Sequence, residues 1–231
     1  MFRMAKKAAS LQRYQGVFYA IVLANATSIW LLLLRMVEAR NVRYGFFPWN
    51  LLLAWLPLLF AWALIVRLKR TRWLDPINLL LSVLWLGFLP NSFYLVTDLI
   101  HLKPTGEVSL LYDAVLFCSF IFNAYIAGII SLYLVHRQLF KRLDAAKAHA
   151  IIVGVLLACG FAIHLGRTLR WNTWDVIINP IGLSFDIIDR LIRPASYPQA
   201  FITTIIFFAL IGSVYIVVWQ VAAALRGADN A

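Results

Sequence analysis

The chain has 231 residues, 63% of them hydrophobic and 13% charged, with a formal net charge of +11. Soluble domains carry about 25% charged and about 45–50% apolar residues, so a soluble globular domain is excluded and a polytopic membrane protein is expected. The surplus of Lys and Arg then reads as loop anchoring beside anionic headgroups; the lipid bilayer is the expected partner and nucleic acid is not.

Apolar runs in chain order predict an all-α bundle of about six transmembrane helices in one domain, 1–231. The first run, 17–34, follows Arg3, Lys6, Lys7 and Arg13 in the manner of a signal peptide. It is long for an h-region and lacks a small-residue cleavage site, so it reads as an uncleaved span. The second, 49–66, is closed by Arg67, Lys69, Arg70 and Arg72. The third, 77–100, contains Pro90, which removes a backbone hydrogen bond and should kink the helix near Leu86, with Asn91 and Ser92 available for the freed groups. The fourth and fifth runs are 110–135 and 148–165, and the sixth is 201–225. Between the last two, Pro180 to Pro194 is too short and too charged to cross. Phe185, Ile188 and Ile192 gather on one side of it and Asp186, Asp189, Arg190 and Arg193 on the other, as in an amphipathic helix lying in the outer interface. Cys118 and Cys159 fall inside apolar runs and read as small core residues. Asn123, Ser119 and Tyr112 read as interhelical glue, and the small pairs Ala124/Gly128 and Gly154/Ala158 as close helix contacts.

Lys and Arg in the N-terminus, the second and fourth loops and the C-terminal tail number 13, against 8 in the alternate loops. This bias predicts that both termini are cytoplasmic.

Polar residues gather at the outer ends of three spans. Asn91, Tyr94, Asp98 and His101 recur at i, i+3, i+7 and i+10, one helical face. Asp113 opens the fourth span. The fifth leaves through His164, Arg167, Arg170, Trp171, Asn172, Trp174 and Asp175, with His164, Arg167 and Trp171 on one face. Polar residues so aligned normally face a bundle interior or a wet cavity. At these residues the chain resembles the bacterial membrane-protein family called domain of unknown function 1361, over about Tyr44 to Asp175. The resemblance rests on the stretch from Trp49 to Pro57, that from Leu89 to His101, Tyr112-Asp113, and that from Leu165 to Asp175. It implies an integral membrane protein of unestablished activity. It also sets His164 where the family usually has an aromatic residue, so a role for His164 would belong to this chain alone.

The favoured reading is an outward-facing site of Asn91, Tyr94, Asp98, His101, Asp113, Arg167, Arg170, Trp171, Asn172, Trp174 and Asp175 for a small anionic or lipid-linked ligand. Arginine forks match phosphate bidentately. A metal held by Asp98, His101 and Asp113 is a weaker reading, because Asp-x-x-His supplies only two neighbouring ligands. The Pro90-Asn91 break would suit a transporter, and pairing of Asp98 or Asp113 with Arg167 or Arg170 would suit a purely structural role. No nucleophile stands out, and the cofactor is unknown; haem is disfavoured because the four histidines divide between the two faces. Reporter fusions at residue 105 and at the C-terminus are expected to report opposite sides of the membrane, and matching signals would overturn the six-span map.

Overall fold

The computed structural model describes residues 2–228, with the side chains of 1–15, 17, 18 and 226–228 outside the description. Arg3, Lys6, Lys7, Arg13 and Arg226, which enter the charge count, are among those side chains. The described residues form eight α-helices and no strand: α1 (Phe2–Ala39), α2 (Phe47–Arg67), α3 (Pro76–Tyr94), α4 (Leu110–Phe140), α5 (Ala145–Thr168), α6 (Asp175–Ile178), α7 (Pro180–Ile192) and α8 (Pro198–Ala228). Six of them, all but α6 and α7, are long and apolar enough to cross a membrane, and they coincide with the six expected runs.

Helix starts are written locally. Asp75, Ser109, Asp144 and Asn179 cap α3, α4, α5 and α7, each side chain accepting from a backbone N–H two or three residues on. Those donors have no intrahelical partner, and a cap satisfies one of them. Pro76 and Pro180 follow two of the caps at the first helical position, where the missing N–H costs nothing.

α4 packs against α1, α2, α3 and α5 and is the most buried span. On one side, Phe47 lies between Phe117 and Phe120, ring centroids 4.7 and 4.8 Å away. Such pairs contribute about 0.5–1.5 kcal/mol each beyond burial. Polar glue joins α1 to α4: Asn123 Nδ2 donates to Ser28 Oγ (2.8 Å) and the Ala24 carbonyl (3.0 Å), and Tyr112 donates to the Leu31 carbonyl (2.7 Å). Ser119 departs from expectation, since its hydroxyl turns back on Leu116 of its own helix.

Two further expectations need correcting. Gly154 faces open space; the close approach in α5 is at Gly160, where an added Cβ would stand 2.5 Å from the Thr204 carbonyl of α8. Gly128 does behave as expected, pressed on Ser92 and Phe93. Cys118 is exposed on the surface of α4, and only Cys159 is a core residue.

α3 stays helical across Pro90 and changes only at Leu95, where it tightens into a 3₁₀ turn through His101. Asn91 and Ser92 do not serve the carbonyl that the proline frees: Asn91 donates to Phe88 O (3.0 Å) and Ser92 to Ala54 O of α2 (2.7 Å). Ser92 thereby ties α3 to α2 three residues before Pro57, itself inside a helix. Gly160→Ala is expected to lower stability by about 1–3 kcal/mol, the range for overpacking a fitted contact. Gly154→Ala should change it little; thermal melts of the two variants in detergent check the contrast.

Candidate functional site

The ionisable residues at the end of the bundle formed by the 40–46, 102–109 and 169–197 segments sort into two groups. Asp113 belongs to the first and stands apart from the expected ligand residues. Arg35, 1% exposed, donates through Nε to Asp113 Oδ1 (3.1 Å), through Nη1 to Asn41 Oδ1 (2.8 Å) and through Nη2 to Glu107 Oε2 (3.0 Å). Its guanidinium also lies 4.4 Å over the Tyr44 ring, and Arg43 holds the second Glu107 oxygen at 3.0 Å. The cause is topological: Asp113 sits on the first turn of α4, α4 packs on α1, and the last turns of α1 bring Arg35. Asn41 and Arg35 beside its carboxylate hold Glu107 below the ordinary glutamate range. That stabilisation is present above the ordinary pKa and is lost as pH falls through the lowered one.

The second group lines a cavity of about 630 Å³ between α2, α3, α5, the 170–174 segment and α7. Asn91, Tyr94, Asp98, His101, Arg170, Trp171, Asn172 and Trp174 all reach its wall, so eight of the expected ligand residues converge. Asp98 is 3% exposed and accepts from Asn50 Nδ2 at 3.1 Å. Arg167 is not a wall residue but braces three that are. Its Nη1 lies 3.6 Å from Asp98 Oδ1 and 3.5 Å from the Tyr94 hydroxyl, and its Nη2 donates to His101 Nε2 at 3.3 Å. Asp175 is occupied locally, accepting from the Asn172 N–H at 2.6 Å. His164 is buried against Thr168 and away from the wall.

The helix face expected to join His164, Arg167 and Trp171 ends before Trp171. α5 stops at Thr168, and Arg170 takes a positive φ of 61° in the turn that follows. That left-handed conformation after a helix C-terminus usually falls to glycine. The turn sends the Trp171 N–H back to the Leu165 carbonyl (3.3 Å) and the indole to Asp186 Oδ2 of α7 (2.7 Å). It also leaves the Arg170 guanidinium exposed at the cavity wall with no ion-pair partner among the described residues. With Arg167 opposed by Asp98, the wall and its brace carry one cation in excess.

α7 has the two expected pairs, Asp186–Arg190 at 2.9 Å and Asp189–Arg193 at 3.5 Å. Its Leu183 and Ile187 close one side of the cavity, whereas Ile181, Phe185 and Ile192 are exposed on the far side. Among the described residues no three of His, Cys, Asp and Glu are grouped to hold a metal ion. The Asp98, His101 and Asp113 set is not assembled, because Asp113 is taken by Arg35.

A family model described as protein of unknown function (DUF1361) matches residues 49–214. The chain belongs to the DUF1361 family. No curated protein and no solved structure matches it. The DUF1361 match contains every cavity wall residue except Phe46, and leaves Arg35, Asn41 and Tyr44 outside.

Several site residues went unpredicted. Asn50 is the only polar side chain of the 49–66 run apart from its tryptophans, a signal that was available. Thr173, which accepts from Asn91 at 3.1 Å, and Asp186, which receives Trp171, carry no such mark. Asp113→Asn is expected to cost about 1–3 kcal/mol, because it weakens a charged hydrogen bond of the buried Arg35 and leaves Glu107 as its one remaining carboxylate. Asp98→Asn should cost about 1 kcal/mol or less, since the Arg167 contact is long and partly exposed and Asn50 can still bond. Thermal melts of the two variants against the parent test this ordering.

Proposed function

We propose that the cavity binds a small anionic or lipid-linked ligand on the outward face of the bacterial cytoplasmic membrane. The observation that carries the reading is Arg170: a guanidinium at the wall of a concave site, without an ion-pair partner among the described residues, on a backbone that favours glycine. Non-glycine residues in that region cost of order 1–3 kcal/mol and cluster at binding and active sites. An anion reaching Arg170 would meet the polar side chains of Asn91, Asn172 and His101 on the same wall, and a guanidinium fork suits phosphate or carboxylate oxygens.

The cavity is graded in polarity, which supports the lipid-linked form of the reading. Asp98, His101 and Arg170 lie at one end, while Leu86, Ala158 and Ala162 line the wall deeper in the bundle. Leu86 is twelve residues before Asp98, about 18 Å of helix and more than half of a hydrocarbon core about 30 Å thick. Trp49 and Trp174 flank it with ring centroids 6.3 Å apart, at the depth where tryptophan prefers to sit.

Dihexanoyl phosphatidic acid is expected to raise the melting temperature of the purified protein, and Arg170→Gln to abolish that rise while leaving the unliganded protein within about 0.5 kcal/mol. Arg170→Gly separates site from scaffold. It should stabilise the unliganded protein, by removing the strained φ, and still lose the response to phosphatidic acid. An undiminished response in both variants would overturn the proposal.

A further inference from the structure

A second cavity, of about 510 Å³, opens at the other end of the bundle between α4, α5 and α8, and shares no residue with the first. Its centre is His136, 1% exposed. The imidazole Nδ1 lies 2.7 Å from the Tyr215 hydroxyl, and the ring stacks on Trp219 at 4.2 Å and meets His149 edge-on at 5.0 Å. His136 Nε2 has no hydrogen-bond partner among the described residues. A buried polar nitrogen left unpaired costs about 1–3 kcal/mol, and native proteins carry few of them. Ring packing does not account for it, because phenylalanine would stack as well. Tyr215 accounts for Nδ1 alone.

We propose that this cavity binds a quinone or its quinol, with one ring oxygen hydrogen-bonded to His136 Nε2. The Tyr215–His136 pair suits both redox forms. When the Tyr215 hydroxyl donates to Nδ1, the imidazole proton is on Nε2, which donates to a quinone carbonyl. When Nδ1–H donates to the Tyr215 oxygen, Nε2 is bare and accepts from a quinol hydroxyl. Nε2 is paired in either state, and the two tautomers hold the same number of protons. Trp219 and Phe208 make the wall aromatic. Ile152, Leu156, Phe208 and Gly212 continue the wall away from the histidines. Leu156 is seven residues beyond His149 and Phe208 eleven before Trp219, so the apolar part runs about 10–16 Å along the helices, as an apolar tail requires. A charged headgroup is a poor match, because no Lys or Arg among the described residues lines this cavity. Nε2 is itself buried, so the proposal requires the exposed His149 ring, which meets His136 edge-on, to turn aside when the ligand enters.

The test uses the full chain in detergent, with decylubiquinone as the probe and decylbenzene, which has the tail without ring oxygens, as its control. Decylubiquinone is expected to raise the melting temperature saturably and decylbenzene to leave it unchanged. His136→Phe keeps an aromatic ring and should weaken decylubiquinone about tenfold, equivalent to about 1.4 kcal/mol. Gly212→Leu fills the cavity and should abolish binding without touching the polar atoms; the Gly212 Cβ direction meets only Leu156 Cδ1, at 3.8 Å, so the change should fold. Arg170→Gln, in the first cavity, should leave decylubiquinone binding intact. If decylbenzene binds as well as the quinone, or His136→Phe binds it undiminished, the cavity is a groove for lipid chains and the proposal is overturned. Should His136→Phe not fold, Gly212→Leu and the decylbenzene control decide, and decylubiquinone binding undiminished in Gly212→Leu overturns the proposal.

Discussion

A carboxylate at the end of an apolar helix must find a cation on a neighbouring element, because its own helix offers none and the surrounding hydrocarbon offers nothing. Asp113 and Asp98 both meet this requirement, and the different ways they meet it organise one end of the molecule. Asp113 takes Arg35 in a closed arrangement in which each nitrogen type of the guanidinium has an acceptor. Asp98 takes Asn50 at hydrogen-bonding distance and Arg167 at 3.6 Å, a looser arrangement that stays beside open space. A satisfied buried network rigidifies, while a partly satisfied one leaves donors available to something else. The first group thus acts as a fastening between α1 and α4, and the second as the wall of a cavity.

The membrane-spanning helices were legible because a span is constrained by length and hydropathy over about twenty residues, which no single side chain can obscure. The breaks within them were not. Pro90 lies within α3, yet the change of winding comes near Leu95, where Leu95, Thr97 and Asp98 are buried. Small residues misled in the same way. Gly154 and Gly160 are alike in sequence, and only the approach of Thr204 from a helix forty residues on distinguishes them.

The site was legible as far as helical periodicity reaches. Asn91, Tyr94, Asp98 and His101 share a wall as their spacing requires, and the aromatic and polar run after α5 joins them. What periodicity could not supply was partnership across elements. Asp113 lies at the expected end of the molecule, and its removal from the site depends on Arg35, 78 residues earlier in the chain. In the sequence Arg35 is only one of the eight Lys and Arg of the minority loops. Trp171 was placed on a helix face that ends before it, because a left-handed arginine gives no sign in a sequence where glycine would.

The amphipathic character of α7 has a consequence for the cavity it closes. Its exposed face is a row of isoleucine, leucine and phenylalanine, and its inner face carries Asp186 and Arg190 toward the bundle. A helix of that kind has a preferred depth, set by where acyl chains give way to headgroups. The wall that Leu183 and Ile187 give the cavity is thus held by side-chain bonds such as that from Trp171 to Asp186, whereas the walls of α2 and α3 are held by the packing of one span on another.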